Sequence, residues 1–223
     1  MKLLEYPDAE MMMIDIANRL AGELNSYLMR HDFASFAVPG GTTPGPVFDA
    51  LCAADIDWDR VHVILTDERW VPEDSPRSNT RLVKERLLTD RAAAARLVPL
   101  YLPSAEPEKR LAEVQANVEK ELPLAVLLLG MGGDMHTASL FPGANRLDEA
   151  LAPDAPPVLA MRAPGASEPR VTLTAPVLDG ALSKHVVITG AEKRDALQRA
   201  AELTPKEAPI RAVWTGLTVH WAE

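Results

Sequence analysis

The run Leu124-Ala125-Val126-Leu127-Leu128-Leu129 leads directly into Gly130-Met131-Gly132-Gly133-Asp134-Met135-His136, and no other feature of the chain narrows its architecture as much. An unbroken apolar strand has no polar face to offer water, so it must be covered on both sides. Ended by glycines, it reads as one strand of a parallel sheet held between layers of helices. The pattern recurs. Residues 33–38 read as a short buried strand broken by Pro39-Gly40-Gly41, with a helix over 46–53. Residues 61–65 read as a strand, 67–77 as a loop and 80–88 as a helix capped by Ser78 or Asn79. Further strands are predicted at 97–102 and 185–189, and helices at 107–121 and 191–202. After Pro7, Asp8 is a plausible N-cap for a helix whose apolar positions Ile14, Ala17, Leu20, Ala21, Leu24 and Leu28 share one face. The proline-rich residues 152–169 read as a long loop with a short extended piece. The expected fold is α/β: one domain over 1–223, a doubly wound, mostly parallel sheet with helices on both faces.

Ligands of such sheets collect beyond the carboxyl ends of the strands, and composition restricts what the ligand can be. The chain carries 23 Lys and Arg against 32 Asp and Glu, a formal net charge of -9. That balance argues against a nucleic-acid or anionic-membrane partner, and it means that a phosphate ligand needs cations gathered locally. The single cysteine, Cys52, leaves no disulfide framework or cysteine-based zinc cluster and fits a reducing compartment. With no signal-peptide core and no apolar run of membrane-spanning length, a cytoplasmic location is expected.

Three loops follow strands. Pro39-Gly40-Gly41-Thr42-Thr43-Pro44 stands between a strand and a helix, where backbone amides and threonine hydroxyls can meet an anion. It is neither a dinucleotide fingerprint nor a Walker A loop, and a plain threonine-capped turn would read the same. Thr66-Asp67-Glu68-Arg69-Trp70 puts two acids and an arginine at the ligand edge; an ion pair beside an anchoring tryptophan is the alternative. Asp134 and His136, two residues apart after the most apolar strand, suit a base near neutral pH whose tautomer a carboxylate sets. A capping aspartate beside a structural histidine fits the same letters. His31, His62, His185 and His220 show no paired metal-ligand spacing, and no Gly-x-Ser-x-Gly elbow occurs.

Taken in order, these segments resemble the 6-phosphogluconolactonase family, within a wider group that includes glucosamine-6-phosphate deaminase. The resemblance runs through 39–44, through 66–72 with Ser78-Asn79, through 130–143, through 169–178 (Pro169-Arg170-Val171-Thr172 onward) and through Gly190-Ala191-Glu192-Lys193. It implies hydrolysis of 6-phospho-D-glucono-1,5-lactone, the small-molecule partner, to 6-phosphogluconate in the oxidative pentose phosphate pathway, without metal or organic cofactor. It also implies His136 as base, with Gly40, Gly41, Thr42, Thr43, Arg170 and Lys193 holding the phosphate. Asp134 would orient His136, Asp67 would accept from sugar hydroxyls, and Arg69 would face the oxyanion, a role Arg170 could share.

Two positions depart from the family's usual pattern. Met135 stands where the loop normally has glycine before the histidine, so a positive φ there would strain this chain. Ser75 stands where the family often has histidine. The related deaminases need an additional acid after the histidine, and Thr137-Ala138-Ser139-Leu140-Phe141-Pro142-Gly143 contains none. A non-catalytic sugar-phosphate sensor remains the reading from another class.

Overall fold

Apolar strands that cannot face water stack side by side, and here they build a seven-stranded parallel sheet. The computed structural model describes residues 1–223. In chain order the elements are β1 (Lys2–Glu5), α1 (Ala9–Leu28), β2 (Ala34–Val38), α2 (Gly45–Leu51), β3 (Val61–Leu65), β4 (Asp67–Arg69), α3 (Asn79–Arg86) and β5 (Arg96–Val98). There follow α4 (Leu111–Glu119), β6 (Val126–Gly130), α5 (Leu147–Leu151), β7 (Val158–Met161), β8 (Arg170–Leu173), α6 (Ala175–Asp179), β9 (Ser183–Thr189), α7 (Ala191–Ala200) and β10 (Leu217–Ala222).

The sheet order is β1-β10-β9-β6-β2-β3-β5. From β2 the chain winds outward through β3 to β5, returns to β6 on the other flank of β2, and winds outward again through β9 and β10. The strand order therefore reverses between β2 and β6, and the crevice beyond their carboxyl ends is where such sheets bind ligands. The loops at that crevice are the two glycine-rich segments.

A second sheet was not foreseen. The chain stays extended past Leu65: Thr66 donates its N–H to the Val38 carbonyl and accepts at its own carbonyl from Leu173, both at 2.9 Å, so this one residue joins both sheets. β4 then pairs antiparallel with β8, and β8 with β7. The expected loop over 67–77 thus begins as a strand, hidden from pattern reading because Asp67, Glu68 and Arg69 carry no apolar alternation. β1 and β10 were also missed, while β7 is the extended piece expected within 152–169.

The first helix begins where expected, with Asp8 accepting from Met11 N–H at 2.7 Å. Its buried face is Met12, Met13, Ile16, Ala17, Leu20, Leu24 and Leu28, whereas Ile14 is 50% exposed, so the expected stripe is turned. Ser78 caps α3, accepting from Arg81 N–H. β5 ends at Val98 rather than 102, because Pro99 has no N–H to continue a ladder. The helix expected over 107–121 splits into a 3-10 turn, Pro107–Lys109, and α4. One cluster of 61 buried apolar residues forms the core. No helix is long and apolar enough to cross a membrane.

Candidate active site

Beyond β2 and β6 lies a cavity of about 270 Å³, lined by Gly40, Gly41, Thr42, Thr43, Asp67, Arg69, His136, Arg170 and Lys193 among others. Nine of the ten residues singled out in the sequence, scattered over more than 150 positions, thus share one hollow, and Asp134, the tenth, stands directly behind His136. Met131, Ala138 and Val187 complete parts of the lining that sequence reasoning gave no role, and Asn79, read there as a candidate cap beside Ser78, lines the hollow as well.

At one end, the Gly40-Gly41-Thr42-Thr43 turn carries the chain from β2 to α2. Gly41 has φ 87°, a conformation open to glycine and costly for other residues. Lys193, in the first turn of α7, reaches the same hollow and, unlike Arg69 and Arg170, enters no ion pair within the protein. A cation is unfavourable near a helix N-terminus unless an anion is there to share.

In the middle stand two arginines. The β4–β8 register sets Arg69 directly opposite Arg170 and Asp67 opposite Thr172. Like charges facing across a ladder repel, and carboxylates on either side relieve the repulsion. Arg170 lies 3.7 Å from Asp67 Oδ2, and Arg69 lies 3.8 Å from Glu168, which accepts from Arg77 at 2.6 Å. Burial pushes the Arg170 guanidinium below its usual range; Asp67 opposes this and Arg69 adds to it. The Nε atoms of Arg69 and Arg170 are buried without a hydrogen-bond partner, an arrangement with capacity left for an anionic ligand.

Asp67 is fixed on several sides: Ser139 Oγ donates to its Oδ2 at 2.6 Å, Thr66 Oγ1 to its Oδ1, and Asn79 Nδ2 to its carbonyl. Glu68, fully buried, points the other way. It accepts from the backbone N–H groups of Arg69, Asn79 and Thr80 and from Ser78 Oγ, pinning β4 to the start of α3. Burial pushes its carboxyl above the usual range, opposed by those backbone donors.

At the far end is the Gly132–His136 loop. Asp134 Oδ1 meets His136 Nδ1 at 2.5 Å and also accepts from the His136 backbone N–H at 3.2 Å. Burial pushes the Asp134 carboxyl up, but the His136 hydrogen bond and charge outweigh it and hold the group below the usual carboxylate range. An ionised Asp134 accepts, so Nδ1 carries a proton, and Nε2 makes no hydrogen bond within the protein. Gly132 is required by space: a Cβ there would lie 2.2 Å from His136 Nδ1 and 2.6 Å from Asp134 Oδ1. Met135 does adopt positive φ, 66°. Ser139, Phe141 and Glu168, which touch Asp67, His136 and the arginines, had no sequence signal of their own, because a turn and a cross-sheet register bring them there. Nowhere do three His, Cys, Asp or Glu side chains converge as a metal-ligand set.

The family described as glucosamine-6-phosphate isomerases/6-phosphogluconolactonase matches residues 7–221. A 6-phosphogluconolactonase of Rhizobium meliloti (strain 1021) is 42% identical over 100% of this chain and 98% of its own length. One from Mesorhizobium japonicum is 44% identical over 97% of this chain and 93% of its own. The crystal structure of a 6-phosphogluconolactonase from Shewanella baltica OS155 superposes with a TM-score of 0.95 at 30% identity, covering 100% of this chain and 97% of the other. With its glycine turn, paired arginines and Asp134–His136 couple in one crevice, the chain belongs to the glucosamine-6-phosphate isomerase/6-phosphogluconolactonase family.

Proposed function

We propose that this chain hydrolyses 6-phospho-D-glucono-1,5-lactone to 6-phosphogluconate, the lactone step of the oxidative pentose phosphate pathway, with His136 as the base that activates water. The observation that carries the reading is the Asp134–His136 couple facing a cavity in which Arg69, Arg170 and Lys193 outnumber the single carboxylate, Asp67, within a protein of net charge -9. Such a local excess of positive charge suits a phosphorylated substrate. The glycine turn, Arg170 and Lys193 anchor the phosphate in this reading, and Asp67 accepts from sugar hydroxyls. Anchoring turns attack by bulk water into attack by a positioned one.

His136 Nε2 takes a proton from that water as its oxygen bonds to the lactone carbonyl carbon, and the carbonyl electron pair becomes an oxyanion beside Arg69 or Arg170. As the oxyanion collapses, the bond from the carbonyl carbon to the ring oxygen breaks, and the imidazolium returns its proton to that oxygen. Asp134 keeps Nδ1 protonated throughout and offsets the imidazolium charge. A cytoplasmic location belongs to the same reading, supported by the single cysteine.

The test follows acid release from freshly generated lactone above the spontaneous rate, with ammonia release from glucosamine 6-phosphate as a second channel. Wild-type protein is expected to accelerate the first and not the second. His136→Ala is expected to lower kcat by about 10²- to 10⁴-fold while product binding persists. Full lactonase activity in that variant would remove His136 from the reaction.

A further inference from the structure

The turn after the catalytic loop brings an aromatic ring back onto the base. Leu140 N–H donates to the Thr137 carbonyl at 3.0 Å, with Ala138 at φ 48°, and the reversal places Phe141 beside His136. The two rings stack, with centroids 4.1 Å apart and planes 25° from parallel, and the Arg170 guanidinium carbon lies 5.3 Å from the centroid of the same Phe141 ring. We infer that Phe141 is a positioning residue for the hydrolysis: it holds the plane of the His136 ring while tying Arg170 to the same platform.

The inference rests on His136 being the base. A hydrogen bond at Nδ1 alone leaves the imidazole free to swing about that bond, and such rotation would carry Nε2 away from the water it must deprotonate. Stacking on Phe141 removes the freedom. The π face of Phe141 is also negative, so it attracts the Arg170 guanidinium.

The experiment compares Phe141→Leu, Phe141→Tyr and His136→Ala in initial-rate lactonase assays, with thermal melts to confirm folding. Phe141→Leu keeps an apolar side chain and loses the aromatic face. It is expected to lower kcat about tenfold and to change KM less than kcat. Phe141→Tyr is expected to restore most of kcat. Wild-type kcat in Phe141→Leu, or a Tyr variant as slow as the Leu variant, would overturn the inference while leaving His136 as base. Activity retained in His136→Ala would overturn both.

Discussion

Met135 holds φ 66° with a full side chain, a conformation that costs a non-glycine residue about 1–2 kcal/mol. The loop keeps it there with two backbone hydrogen bonds: its N–H donates to the Gly132 carbonyl at 2.9 Å, and its own carbonyl accepts from Ile210 at 3.1 Å. Its side chain, partly buried against the core, recovers some of that cost in apolar contact. Met135→Gly trades strain relief against lost packing, and its stability is expected to stay within about 1 kcal/mol of wild type with kcat preserved. Met135→Val keeps the strain and adds a branch at Cβ, which left-handed backbone accommodates poorly. It is expected to lose about 1–3 kcal/mol and to lower kcat, because the residue adjoins His136, the proposed base. Chemical denaturation and steady-state kinetics on the two variants check this; a Val variant equal to the Gly variant in both would mean that the loop relaxes without disturbing His136.

At the scale of elements, β4 and α3 are joined through Glu68. Replacing it by alanine strands several buried donors at once, and a loss of about 3 kcal/mol is expected in urea unfolding, with activity falling because Arg69 rides on the same strand. A loss under a few tenths would mean that water satisfies those donors.

A second junction lies between α1 and the strands β9 and β10. There Tyr6 Oη meets His220 Nδ1 at 2.9 Å, His220 Nε2 meets His185 Nδ1 at 3.0 Å, and His185 Nε2 meets Glu23 at 2.9 Å. Burial, then the neighbouring His185 and Arg19, push His220 from 6.5 down to about 3, with Asp15 and Glu23 opposing. The unfolded chain therefore binds a proton that the folded chain refuses, so stability is full above pH 6.5 and declines as the pH falls toward 3. Carboxylates in their usual range remain ionised above about pH 5, whereas burial holds Glu68 above that range, so the share of the upper decline that belongs to the His220 imidazole is read from its own variant. His220→Gln is expected to flatten Tm against pH between 6.5 and about 5; an unchanged slope would assign the decline to other groups.

Across the whole molecule, what was legible is what locality writes down. β2, β3 and β6 are short apolar runs, nearly all buried, ended by Gly-rich or charged loops, and those loops mark the crevice. β1 is half exposed, and β10 places His220 inside the core, so neither shows the apolar run that announces a covered strand. β4 and β8 open on charged residues because their meeting makes the site, and only their register reveals why Arg69 and Arg170 stand together. Phe141 and Ser139 follow the same rule: each looks like an ordinary residue after a loop until a turn or another strand supplies its partner. The resemblance to known lactonases identified the hollow's residues, and the three-dimensional arrangement supplied what braces them.

The pairing of β10 with β9 and β1 bears on the order of assembly. Gly190, at the head of α7, donates its N–H to the Ala222 carbonyl and accepts from Trp221 Nε1, both at 2.9 Å. The helix start that presents Lys193 is thus tied to the final strand. On the ribosome, β2, β3, β6 and β8 emerge with their loops before β10 does, so Arg69, Arg170 and His136 can approach one another while the support of Lys193 is still unsynthesised. Closing contacts this distant in sequence is entropically slow. On the proposal that Lys193 anchors phosphate, a nascent chain is therefore expected to gain that grip last and to compete poorly for sugar phosphates until β10 has docked.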